Sequence, residues 1–240
     1  MTDDTTRLYP DLVTAGGLGN ALQAALAGLG SGLRVSGLDP AVNFMVYARV
    51  ESGPRLSQVF IAARERLFLF DFWSRGVNLA QGQTPDLAGV AGAIDRWITS
   101  GCTTSELVSG FDFVTVEPSA AAYESGGEVE HRWRDYLANM GDRFPELVAC
   151  VRAASRRREL RRLFPFTSHV TFCFSRCTGY PFTRDTPHVR PRQDGQYEVL
   201  GYDGRVLGRG DADAAARLVA DHLPPDCGPA VPGTAEDVSP

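Results

Sequence analysis

Apolar and polar positions change their spacing several times along the chain. Residues 11–30, DLVTAGGLGNALQAALAGLG, carry Leu and Ala at helical intervals and end in glycine, which predicts a helix closed near residue 30. Between 33 and 81 the period drops to two. NFMVYARVE, RLSQVFIAA, RLFLFDFW and GVNLAQG alternate or run apolar, with turns at Gly53-Pro54 and Arg64-Glu65, as in an antiparallel meander. TPDLAGVAGAIDRWITSG returns to the helical period. Leu87, Val90, Ala91, Ile94, Trp97 and Ile98 share one face, with Thr84 expected as N-cap and Pro85 at the first position. FDFVTVEP reads as a short strand, and 119–163 as helices broken near Gly126, Gly141 and Pro145. An extended segment at 167–177 leads into a Pro-rich loop. The hairpin QYEVLGYDGRVLGRG then turns at Asp203-Gly204, a type I′ signal. DADAAARLVADHLP is a helix capped by Asp211, and the Pro/Gly-rich stretch 225–240 is expected to lack fixed structure.

These elements predict an α+β fold with a largely antiparallel sheet and helices packed mainly on one side. The expected organisation is one domain over 1–224, with halves at 33–100 and 165–224 and a helical insert at 101–164. RLFLFDFWSRGVNLAQGQTPDLAGVAGAIDRWI and QYEVLGYDGRVLGRGDADAAARLVADHL share the order strand, turn, strand, capped helix. Duplication of ββα halves and coincidence both produce that order.

Composition narrows the function classes. With 43% hydrophobic and 22% charged residues the chain is globular in type, and no apolar run approaches the roughly 20 residues that span a bilayer. MTDDTTRLYP is acidic rather than signal-like, so a cytoplasmic location is expected. All 24 basic residues are arginine, which excludes an internal aldimine with pyridoxal phosphate. A net charge of −5 argues against nucleic-acid binding. The five cysteines, at 102, 150, 173, 177 and 227, lack disulfide-framework or zinc spacing. GGLGNA follows no strand, so dinucleotide binding is not read there.

The densest chemistry lies in TSHVTFCFSRCTGYPF, residues 167–182. Read as one straight strand, it puts Ser168, Val170, Phe172, Phe174 and Arg176 on one face. His169, Thr171, Cys173, Ser175 and Cys177 take the other. Residues four apart are about 13 Å apart on a strand, too far for a Cys173–Cys177 disulfide or for His169 to activate either thiol. A Cys–His pair needs a partner from elsewhere, such as His131 or His188. Where the strand exits, Cys177 is the candidate nucleophile or acid/base and Arg176 the thiolate stabiliser or anion clamp, with His169 and Tyr180 in support. The plainer alternative makes both cysteines inert and buried, and His169 a hydrogen-bonding residue at the strand start.

Weaker constellations accompany it. Asp71, Trp73 and Arg75 share a strand face opposite Phe70, Phe72 and Ser74, forming either a polar substrate pocket or an exposed face with a cross-strand ion pair. Glu117, at a strand end, joins them as a substrate-binding candidate with the placement of a general base. His131 and Asp135 stand i,i+4 on a helix. Arg156, Arg157, Arg158, Arg161 and Arg162 either grip phosphate or form a solvated helix face.

LFPFTSHVTFCFSRCTGYPFT, with FWSRGVNLAQGQTPDL upstream and AARLVADHLP downstream, resembles a family of actinobacterial proteins labelled as natural-product biosynthesis proteins with a domain of unknown function. The likeness runs from about residue 40 to 224 and is strongest at FPFTSH…FSRCTGYP. It implies a biosynthetic setting and carries no catalytic residues. The expectation is a tailoring enzyme without metal or organic cofactor, performing cyclisation or acyl/group transfer on a small-molecule or carrier-bound intermediate. The alternative is a non-enzymatic binding, partner or immunity-like module using an aromatic sheet face, marked by a flat apolar patch at Phe70, Phe72 or Trp73. No nucleic-acid or membrane partner is expected, and a homodimer stays open.

Overall fold

The computed structural model describes residues 3–36 and 46–238. The expected strand start at 43–45 lies outside them. The fold is α+β with two antiparallel sheets, and the chain divides into two compact units, Met1–Glu124 and Ser125–Pro240. The division cuts through the segment 101–164 that the sequence presents as one insert.

Unit 1 opens with helices α1 (Asp3–Leu8), α2 (Pro10–Ala15) and α3 (Leu18–Gly28). The single helix expected over 11–30 is broken because Gly16 (φ 79°) closes α2 in the left-handed region and Gly17 starts the next. A six-stranded meander follows: β1 (Val35–Ser36), β2 (Tyr47–Ser52), β3 (Arg55–Ile61), β4 (Phe68–Ser74), β5 (Val77–Thr84) and β6 (Val114–Val116). Helices α4 (Leu87–Ser100), α5 (Thr104–Gly110) and α6 (Ala120–Glu124) complete the unit. The N-cap of α4 is Asp86, whose carboxylate accepts from the Ala88 and Gly89 amides at 3.0 Å, and not Thr84, which ends β5. The predicted face is correct: Val90, Ala91, Ile94 and Trp97 are buried against Phe68, Phe70 and Phe72, with the Phe72 and Trp97 rings 5.8 Å apart. Phe70 and Phe72 are therefore core residues and contribute to no exposed apolar patch.

Unit 2 holds α7 (Glu128–Arg143), a 3₁₀ turn at Pro145–Leu147, α8 (Val148–Ser155) and α9 (Arg158–Arg161). Its five-stranded meander comprises β7 (Phe164–Ser168), β8 (Thr171–Ser175), β9 (His188–Pro191), β10 (Tyr197–Leu200) and β11 (Val206–Gly210), followed by α10 (Ala212–Asp221) with the expected Asp211 cap. Gly141 sits inside α7 and breaks nothing. Trp133, Phe172, Phe174, Val199 and Val219 form the core, and the Trp133 indole N–H donates to the Leu163 carbonyl at 3.0 Å.

Three turns differ from their sequence reading. Residues 167–177 do not form one strand: His169 (φ 55°) and Val170 make a tight hairpin in which Ser168 pairs with Thr171. The type I′ signature instead belongs to Arg75 (φ 50°) and Gly76 (φ 77°), both left-handed between Ser74 and Val77, so Arg75 is a turn residue and leaves the face of Asp71 and Trp73. The Asp203-Gly204 turn is longer than two residues. The Gly204 amide bonds to the Gly201 carbonyl (2.9 Å), the Gly201 amide bonds to the Arg205 carbonyl (2.9 Å), and only Gly204 is left-handed. This is a type I turn closed by a glycine bulge.

The stretch after α10 is also fixed. Amides of Ala230, Val231 and Ala235 donate to carbonyls of Arg162, Arg176 and Pro181 at 2.8–2.9 Å. Thr178 and Gly179 return the pattern to Val231 and Gly233 (3.1 and 2.6 Å). Its prolines and glycines are compatible with order because main-chain pairing holds it, together with Cys227 buried in the core.

Candidate functional site

The register of the second sheet decides which side chains meet. Phe166 pairs with Cys173, Ser168 with Thr171, and Phe172 with Val189. Phe172 and Phe174 enter the core, so Phe166, Ser168, Thr171, Cys173, Ser175 and His188 share the opposite face. Alternation along 171–175 is as expected, but the hairpin transfers Ser168 to the polar side.

The segment 176–187 folds back over that face. The Phe182 ring stacks on Phe166 with centroids 4.5 Å apart. The Thr183 amide donates to Ser175 Oγ (3.2 Å), Thr183 Oγ1 accepts from the Arg176 amide (2.9 Å), and Thr186 Oγ1 donates to the Phe174 carbonyl (2.7 Å). Between this segment, the 168–169 hairpin tip and the Tyr202 turn lies a cleft of about 360 Å³. Phe166, Thr171, Cys173 and His188 are half-buried in it, while Ser168, His169, Arg184 and Tyr202 stand at its exposed rim.

Two features of this cleft are chemical. Thr183 and Thr186 spend their hydroxyls on backbone, but the side chains of Ser168, His169, Thr171, Arg184, His188 and Tyr202 make no hydrogen bond or ion pair to another described residue. Its ionisable lining is also one-sided: one arginine, two histidines, a thiol and a phenol, with no carboxylate. Burial, aided by the nearby Arg190 charge, holds the His188 imidazole below its ordinary pKa, so it is neutral at neutral pH. Burial pushes the Cys173 thiol up to about 11, with the Ser168 amide and the Arg184 charge offsetting part of it. Cys173 is thus a thiol, not a thiolate.

The sequence-derived catalytic set does not assemble. His169 lines the cleft; Cys177, Arg176 and Tyr180 do not. Cys177 has no accessible surface. Its sulfur lies 3.2 Å from Ser175 Oγ, 3.5 Å from the Gly179 carbonyl and 3.7 Å from the Pro181 carbonyl, which withdraws it from any nucleophilic role in this conformation. Arg176 is paired with Asp185 at 2.8 Å, and Tyr180 is 65% exposed, edge-on to Phe182. Arg184, His188 and Tyr202 carry most of the cleft chemistry instead. Of these only His188 was suggested by the sequence, as a partner from elsewhere.

The substrate-binding candidates belong to unit 1. Asp71 accepts from the Gln58 amide (2.9 Å) and from Gln58 Nε2 (3.3 Å), and burial raises its carboxyl pKa. Gln58 Oε1 in turn accepts from the Tyr47 hydroxyl (2.9 Å). Trp73 lies on that outer face and Arg75 in the turn, while the Glu117 backbone donates to Leu79 (2.9 Å) and receives the Ala120 amide (2.9 Å), tying β6 to α6. Asp135 pairs with Asn139 and Arg143, not His131. Several arginines of the basic cluster have structural duties: Arg156 pairs with Asp213, Arg161 pairs with Glu130 over the Trp133 ring, and Arg162 holds the Cys227 carbonyl. Among the described residues no three His, Cys, Asp or Glu side chains gather as a metal-ligand set, and no helix is long and apolar enough to cross a membrane.

A model of a family of unknown function, DUF6193, matches residues 128–234, somewhat under half of the chain. The match runs from the first residue of α7 to the strap after α10, so it lies within unit 2 and includes the cleft. FWSRGVNLAQGQTPDL lies outside it. No curated protein and no solved structure matches the chain.

Proposed function

We propose that the chain is a cofactor-independent enzyme that performs acid–base chemistry on a small organic intermediate in the cleft of unit 2. The observation that carries this is a small-molecule-sized cleft with His188 half-buried in it and the side chains of Ser168, His169, Thr171, Arg184 and Tyr202 uncommitted; burial favours the neutral imidazole. Cyclisation by acyl transfer fits such a site. A substrate hydroxyl gives its proton to His188, its oxygen bonds to the carbonyl carbon, the bond to the leaving oxygen breaks, and His188 returns the proton to that oxygen. In this reading no bond to the protein forms, which agrees with a protonated Cys173 and a sealed Cys177. Natural-product tailoring is the setting we favour, on the resemblance of FPFTSH…FSRCTGYP. Hydrolysis of p-nitrophenyl acetate, an uncharged ester, tests the site. The rate should rise with pH and level off near neutrality, fall several-fold in His188→Gln, and persist in His131→Gln, which lies outside the cleft. A His188→Gln protein as fast as wild type ends this reading.

A second reading rests on unit 1. Tyr47, Phe60 and Leu69 lie side by side across three strands; Phe60 is 41% and Leu69 39% exposed, and the Tyr47 and Phe60 rings are 4.9 Å apart. We propose this row as a self-association face. Sedimentation of wild type as a dimer and of Phe60→Glu as a monomer supports it; a monomeric wild type rejects it.

A further inference from the structure

We infer that the ligand of the unit 2 cleft is a monocarboxylate with a flat, unsaturated body, anchored by Arg184. The inference rests on the cleft being a ligand site, as proposed above, and specifies what enters it. The sequence carries 29 acidic against 24 basic residues, yet no carboxylate lines the cleft while a guanidinium does. A guanidinium with no internal partner at the rim of a concave site is matched by an external anion through charge-assisted, bidentate hydrogen bonds.

Charge count selects among anions. Arg184 is the permanent cation of the lining, the Arg190 charge acts on His188 from outside it, and His188 is neutral. One positive charge balances one negative charge; a phosphate dianion brought there would keep an unmatched charge beside a half-buried floor. The Ser168 and Thr171 hydroxyls, on paired positions of β7 and β8, supply further donors for carboxylate oxygens. Phe166, Phe174 and Tyr202 form the aromatic part of the wall, Phe166 braced by Phe182 and Tyr202 carried on the glycine-bulge turn. Aromatic rings bordering the cleft favour stacking with a planar partner over contact with a bulky saturated one.

The four histidines make the test internal: His169 and His188 line the cleft, while His131 and His222 do not. The full chain with ¹³C-labelled histidine is titrated with cinnamate, cinnamamide, acetate and phenyl phosphate up to about 20 mM, a range that reveals weak fragment binding. Cinnamate should shift His169 and His188 and leave His131 and His222 still. Cinnamamide and acetate should each bind about ten-fold more weakly or worse, the loss of a charge-assisted contact or of the apolar body. Arg184→Gln should weaken cinnamate about ten-fold without affecting cinnamamide, with unmoved His131 and His222 signals reporting an intact fold. Equal binding of acid and amide, tighter binding of phenyl phosphate, or no shift with any anion each overturns the inference. Ester hydrolysis without acid preference sinks this inference alone. Acid preference without ester hydrolysis sinks only the acid–base reading.

Discussion

One group of polar side chains on the non-core face of each sheet makes a contrast. On the first, Tyr47, Gln58 and Asp71 satisfy one another in a closed chain of hydrogen bonds. On the second, Ser168, Thr171, His188 and Arg184 face a cleft with nothing of their own to bind. Both sheets are antiparallel meanders with an aromatic core face, so strand architecture does not cause the difference. What differs is the cover: in unit 2 the segment 176–187 is pinned across the sheet by Thr183 and Thr186 and leaves a space beside itself. Polar groups that bond each other stabilise a fold; groups left open are available to a ligand.

The largest test of the contrast uses glycines. A Cβ at Gly82 would lie 2.5 Å from the Phe70 ring and 3.2 Å from the Phe113 carbonyl, so Gly82→Ala should cost about 1–3 kcal/mol by urea unfolding. At Gly208 the Cβ would meet the flexible end of Leu218 at 2.9 Å, and Gly208→Ala should cost less than about 1 kcal/mol. Equal costs would mean that the two core faces are packed alike.

A smaller effect separates the polar faces directly. Gln58→Ala strands the Tyr47 hydroxyl and one Asp71 oxygen and should cost about 1–2 kcal/mol. Ser168→Ala and Thr171→Ala remove no internal bond and should stay within about 0.5 kcal/mol of wild type. A costly Ser168→Ala would show that the cleft is a structural network after all.

The smallest effect is with pH. His188 is held below its ordinary value of 6.5, so the unfolded chain takes up its proton more readily. Its stabilising contribution is complete above that value and is lost as pH falls through the depressed one. Cys173 and Cys150, pushed from 9.0 to about 11 and about 12, act in the opposite sense: their contribution holds below 9.0 and is lost as pH rises toward those values. His188→Gln should flatten the acid limb of the stability curve and leave the alkaline limb unchanged. An unaltered acid limb would place the responsible group elsewhere.

Much of the first sheet was legible because its strands obey period two, with Phe68, Phe70 and Phe72 turned inward and Leu69, Asp71 and Trp73 outward. The face of α4 was legible for the same reason at its own period. The cleft was not, because turns assemble it. His169 occupies a left-handed turn position where glycine is the usual signal, so the hairpin read as a straight strand and Ser168 fell on the wrong face. β9 spans four residues ending in proline and was lost in a Pro-rich loop, taking His188 with it. Tyr202 stands at the rim on a turn closed by a glycine bulge, which the two-residue reading of that turn did not contain. The chemistry of Cys177 was overread: Arg176 beside it in sequence is engaged with Asp185, and the sulfur is sealed.

The strap after α10 illustrates what kinds of change the molecule can absorb over generations. Its bonds to 162 and 176–181 run from main chain to main chain, apart from the Arg162 guanidinium, and such bonds do not read side chains. The strap can therefore accumulate replacements while keeping its place. Gly233 is one exception, since its φ is 128° and a Cβ there would collide with the Asp237 carboxylate; the core-buried Cys227 and the Thr234–Asp237 capping box are others. Drift is open to the strap's exposed letters and closed at these.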